Sequence, residues 1–216
     1  MKKLISKIEL KPLLISIGLV AFQSLLFFAL RPIQGDPNLI GNFIDEKIPF
    51  ISLFIIPYYI WFIMIFAIPY YYYKRDKDLL AKYIISYVVC AIVATIIFTV
   101  YPSMVTRPDY LPNNNPINWM VNLIFWIDNP PINCFPSMHC AISMLFILTI
   151  SHSKHTKLSN KLIVIFTSIL IMAATLFVKQ HVFIDLVSGD IIMLLIYTTF
   201  SQNKKLINYV KKLLSI

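Results

Sequence analysis

Three short segments of the chain place phosphate-handling groups beside apolar runs. Arg107-Pro108 closes one run, Pro136-Ser137-Met138-His139 opens another, and Lys179-Gln180-His181 with Asp185 links two more. His181 and Asp185 are four residues apart, so on a helix they share a face. A carboxylate that accepts the imidazole N–H fixes the tautomer and supports a nucleophilic or basic ring. Pro136 is favoured at a first helical position, which puts His139 three residues into a helix. Ser137 and the free backbone N–H groups of that helix start can receive a phosphate oxygen. Arg107 supplies a planar fork for a phosphate and Lys179 a point charge. Two histidines, a carboxylate, two cations and a helix start make a working set for in-line phosphoryl transfer through a phosphohistidine. Each piece alone is also an ordinary interfacial feature. Their occurrence in order on one membrane face carries the reading.

The elements that must position these groups are membrane spans. Of the 216 residues, 58% are hydrophobic and 13% charged, against about 25% charged in a soluble domain. Spans need about 20 mostly apolar residues, and six are expected, at 12–30, 49–73, 83–101, 136–150, 162–178 and 183–200. The first could be read as a secretory signal peptide, but a small-x-small cleavage site is missing around Ala29–Pro32, which favours a retained anchor. Trp119–Ile127 is expected along the outer surface, with Trp119 and Trp126 at headgroup level. With the N-terminus inside, 15 of the 19 basic residues fall in cytoplasmic segments. Only Arg31, Lys47, Arg107 and Lys179 fall outside. This asymmetry sets both termini in the cytoplasm and the chemical segments on the outer face. It also accounts for the net charge of +9 without a nucleic-acid partner. The fold expectation is therefore all-α: one integral membrane domain over 1–216, a polytopic bundle of six transmembrane helices. Lys204–Ile216 reads as a basic amphipathic helix on the inner surface.

The remaining polar residues read more plainly. His152 and His155 fall in a Ser/Lys/Asn loop on the opposite face and read as solvated. Asp190 lies off the His181 face, to pair with a polar group in another span or to line a substrate path. Tyr70–Tyr73 reads as an interfacial anchor. Cys90, Cys134 and Cys140 form neither a CxxC motif nor an even set, so neither zinc nor a disulfide framework is expected, and no cofactor is called for. Few glycines and abundant Ile, Lys and Asn hint at an AT-rich bacterial genome, hence a bacterial cell membrane.

These segments resemble the type-2 phosphatidic acid phosphatase and vanadium haloperoxidase superfamily, whose motifs are Lys-x6-Arg-Pro, Pro-Ser-x-x-His and Ser-Arg-x5-His-x3-Asp. The second is complete as Pro136-Ser137-Met138-His139, the third keeps His181 and Asp185, and the first keeps Arg107 and Pro108. The strings YPSMVTRP, NCFPSMHCA and TLFVKQHVFID look closest to the branch related to inositol phosphorylceramide synthases. The resemblance implies a metal-free reaction with His181 as nucleophile, Asp185 as its orienter and His139 as general acid, while Arg107 and Ser137 hold the phosphate. Two family cations are absent: Val100 stands at the first-motif Lys, and Ala174-Thr175 at the third-motif Ser-Arg. Lys179 is the expected substitute, with Arg31 and Lys47 at most on a substrate rim. The implied activity is hydrolysis of a lipid phosphate or diphosphate. Transfer of a phosphate-headgroup to a lipid alcohol is the alternative, and a non-enzymatic transporter or an inactive relative is the rival of another class.

Overall fold

A computed structural model of the chain describes residues 9–30 and 35–216. Arg31 and the basic residues Lys2, Lys3 and Lys7 lie outside the described residues. The chain runs through α1 (Leu10–Leu30), a two-residue strand β1 (Asn38–Leu39), α2 (Phe43–Lys47), α3 (Ile55–Arg75) and α4 (Lys77–Val100). It continues through β2 (Ser103–Met104), α5 (Pro116–Ile127), α6 (Met138–His152), α7 (Leu158–Phe177), α8 (Phe183–Phe200) and α9 (Lys204–Leu214). The fold is an all-α polytopic membrane bundle. The helices containing Leu10–Ala29, Ser52–Arg75, Lys77–Val100, Leu158–Phe177 and Phe183–Phe200 are long and apolar enough to cross a membrane. Ile63, Ile96, Phe166, Ile191 and Leu195 project from their outer faces. In water such a belt would be costly in proportion to its area. In lipid it is the expected surface, because the helices satisfy their own backbone hydrogen bonds.

Two boundaries move for local reasons. Helix α4 starts at Lys77 rather than near 83, because Asp76 caps it by accepting the Leu79 N–H at 2.9 Å. Helix α6 starts at Met138 rather than Pro136. Ser137 is its N-cap, extended in backbone, with Oγ accepting the Cys140 N–H at 3.3 Å. At 15 residues, α6 is about 22 Å long, short of the ~30 Å of a bilayer core. Its Leu145, Phe146 and Ile150 are buried in the centre of the bundle, Phe146 stacked on Tyr83 of α4 with ring centroids 6.2 Å apart.

Helix α5 is amphipathic. Val121, Ile124 and Phe125 pack with Ile55, Tyr58, Ala174 and Val178, while Trp119 and Trp126 are exposed. Helix α9 buries Ile207 against Ala81 and Ile85, and its Lys211 pairs with Asp78 at 2.5 Å.

The loops at the other end of the bundle are stitched together. β1 pairs in parallel with β2, Asn38 opposite Ser103 and Leu39 opposite Met104. Met104 in turn bridges to Ile132. The Ser103 carbonyl accepts the Asn133 N–H at 2.7 Å, and its hydroxyl accepts the Phe135 N–H at 2.9 Å. Three segments distant in sequence are thereby fixed beside one another, just ahead of Ser137 and His139.

Candidate active site

The site forms where α8 crosses the start of α6. A Cβ added at Gly189 would lie 2.5 Å from the Ser137 carbonyl oxygen, so only a glycine permits this approach. The same contact lets the Ser137 N–H donate to the Asp185 carbonyl at 3.1 Å. It brings the two sequence segments that carry His139 and His181 within reach of each other.

Asp185 is fully buried, and its Oδ2 lies 3.2 Å from His181 Nδ1 and accepts the Val182 N–H at 3.1 Å. With the carboxylate as acceptor, the proton belongs on Nδ1 and the lone pair on Nε2. The His181 ring lies 5.6 Å from that of His139. His139 is packed against Trp61 and Tyr58 of α3, at centroid distances of 4.5 and 4.9 Å. These aromatic walls hold the ring of His139 in one orientation.

Both histidines line a cavity of about 270 Å³. From them it runs between α1 and α4, past Val20 and Phe27 on one side and Tyr87, Ala94 and Phe98 on the other. Along this arm the Tyr87 hydroxyl donates to Gln23 Oε1 at 2.6 Å. Cys134 closes part of the head end, where burial pushes its thiol above the usual range and keeps it a neutral wall group.

Arg107 stands behind this cavity. Its side chain is 8% exposed, and its guanidinium donates to the Asp128 carboxylate, to the Asp128 carbonyl at 2.8 Å and to Gln180 Oε1 at 2.7 Å. It also lies over the Phe125 ring, 5.5 Å from its centroid. Asp128 and Gln180 both line the cavity that the histidines line, so the two groups bonded to Arg107 face the same space as His139 and His181. Neither residue stood out in the sequence. Asp128 follows an apolar stretch with no motif around it, and Gln180 is an amide between two more conspicuous candidates, Lys179 and His181.

Lys179 is not brought to the histidines. The end of α7 turns through a left-handed residue, Lys179 at φ 58°. The turn sends Gln180 inward and Lys179 outward. The Lys179 ammonium donates to the carbonyls of Asp45 at 2.9 Å and Ile48 at 2.5 Å. It lines a separate pocket with Asp45 and Glu46. Ser137 is fully buried as a helix cap, outside the cavity wall. Val100 is 79% exposed at the end of α4, and the Thr175 hydroxyl donates to the Met172 carbonyl at 2.7 Å. Neither supplies a charge at the motif position it occupies. Lys47 lies over the Phe43 ring, 5.6 Å from its centroid. The Asp190 carboxylate has an oxygen without a partner among the described residues.

Compared with the curated proteins and with the solved structures, the chain shows no significant match. The sequence pattern of the PAP2 superfamily, however, matches residues 31–199, a stretch that holds all three chemical segments and the helices that carry them. With the histidines, the Asp185 carboxylate and the Arg107 fork converging at one end of a membrane bundle, the chain belongs to the PAP2 superfamily.

Proposed function

We propose that the protein is a membrane phosphatase that hydrolyses a lipid phosphate or diphosphate through a phosphohistidine on His181. Membership of the superfamily supports phosphatase- or phosphotransferase-type activity. The observation that carries the finer reading is the pairing of His181 Nδ1 with buried Asp185 beside His139, at the head of an apolar cavity. His181 Nε2 attacks phosphorus in line, the bond to the lipid oxygen breaks, and His139 supplies the proton that oxygen takes. Water then attacks the phosphohistidine, gives its proton to His139, and inorganic phosphate leaves. In this reading Arg107 acts on the phosphate from behind the cavity wall, Ser137 sets the start of the helix that carries His139, Lys179 fixes the turn before His181, and the chain crosses the membrane six times with α6 as the short crossing. Both termini face the cytoplasm and the site faces outward, as the distribution of lysines favours.

The test is product analysis of the purified protein with a panel of lipid phosphates, with and without a lipid alcohol. Release of inorganic phosphate by the native protein and its loss in His181→Ala support hydrolysis. A phosphorylated or headgroup-bearing alcohol as the sole product replaces hydrolysis with transfer, which shares the first step. Undiminished turnover in His181→Ala ends the phosphohistidine reading.

A further inference from the structure

The superfamily's third motif carries a cation where this chain has Thr175, and the hydroxyl of Thr175 is turned to the Met172 carbonyl. The residue that the fold puts in the cavity wall instead is Gln180, 2% exposed and next to His181. Its backbone is anchored by Thr175 itself, whose carbonyl accepts the N–H groups of Gln180 at 2.9 Å and His181 at 3.1 Å. The orientation of its carboxamide is set by chemistry. Arg107 can only donate, so the oxygen must face Arg107 Nη2, at 2.7 Å. The NH2 group is then turned away from Arg107. It has no hydrogen-bond partner among the described residues. A buried donor left without a partner is costly, and such a group calls for a ligand.

We infer that Gln180 is a substrate-binding residue, whose carboxamide takes Arg107 on its oxygen and presents its N–H groups to the phosphoryl oxygens at His181. This inference rests on the phosphatase reading above. The amide is polarised by the guanidinium behind it, which strengthens its N–H groups as donors. Part of the positive potential that a third-motif cation would supply is thereby relayed through a neutral group.

Inorganic vanadate, which mimics the five-coordinate transferring phosphoryl group, is the probe. Its binding is measured on the purified full chain in detergent for the native protein, Gln180→Glu, Gln180→Ala and His181→Ala. Gln180→Glu is decisive because it keeps an acceptor for Arg107 while replacing the N–H groups with a carboxylate oxygen. A thermal midpoint near the native one shows that it folds. The expected result is vanadate affinity weakened about 100-fold in Gln180→Glu, with Gln180→Ala also weakened. Affinity in Gln180→Glu within about threefold of native would mean that Gln180 only holds Arg107, and overturns the inference. If His181→Ala binds vanadate like the native protein while Gln180→Glu does not, the nucleophile assignment fails and the role of Gln180 stands. Absence of vanadate binding by the native protein overturns both.

Discussion

Gly189 of α8 runs against the Ser137 carbonyl at the start of α6, with no room for a single carbon between them. The atom in the way is backbone, which cannot rotate aside. Gly189→Ala must therefore push the two helices apart, and with them the segments bearing His139 and His181. The expected loss of stability is about 1–3 kcal/mol. The expected loss of turnover is on the order of 100-fold, because misplacing catalytic groups by an ångström has that effect. Thermal unfolding in detergent and steady-state rates check the two figures, and native rates would show that the crossing does not set the geometry.

Asp185→Asn keeps the size of the side chain and removes the negative charge that holds the proton on His181 Nδ1, while its amide N–H can favour the other tautomer. Turnover should fall by about 1,000-fold or more, as in hydrolases whose orienting carboxylate is amidated. Vanadate binding should change far less than turnover. Equal losses in both would mark Asp185 as a structural residue.

Asp128 fills the fork of Arg107 and also lines the cavity. A phosphate arriving there meets a carboxylate that competes for the same guanidinium. Asp128→Asn removes that charge and keeps an oxygen for Arg107. Vanadate affinity should rise by about tenfold, a modest part of the like-charge repulsion expected at such distances. Unchanged or weaker binding, measured by titration, would show that the carboxylate helps rather than competes.

Lys179 joins the turn before His181 to the loop at Asp45–Ile48. Removing its two charged hydrogen bonds in Lys179→Ala should cost about 1.5–3 kcal/mol of stability. Turnover should fall with the loosening of the His181 turn, while vanadate affinity changes by less than about tenfold. A loss in affinity as large as that of Gln180→Glu would instead give Lys179 a direct phosphate contact.

A reporter fused after Ile216 should read as cytoplasmic and one inserted near Asn114 as external. The gathering of 15 of the 19 basic residues in the segments expected inside motivates this. Signals on the same side would dismiss the six-crossing topology.

The parts of the site that were legible in the sequence are local. His181 and Asp185 lie within one helical turn's reach, and His139 follows its helix cap by two residues, so spacing together with their order along the chain marks them as candidates. The Arg107–Gln180–Asp128 group was not legible, because its members are brought together by the stitched loops, and loop pairing leaves no periodic trace. Gln180 carries no titratable group to draw notice. Lys179 drew notice because it is charged and lies near His181. At a left-handed helix end, however, neighbouring side chains leave in different directions, and the two residues face different pockets. The helices themselves were visible as apolar runs. Their ends shifted where Asp76 and Ser137 act as caps, which hydropathy does not register.

The apolar arm between α1 and α4 has a kinetic consequence. If the substrate is the proposed lipid phosphate and enters along this arm from the bilayer, the quantity that governs the rate is its mole fraction among neighbouring lipids rather than its concentration in bulk water. Inert lipid or detergent then acts as a diluent, and the apparent KM scales with the amount of amphiphile present. Any long-chain amphiphile that fits beside Phe27 and Phe98 competes for the arm without bearing a phosphate at all.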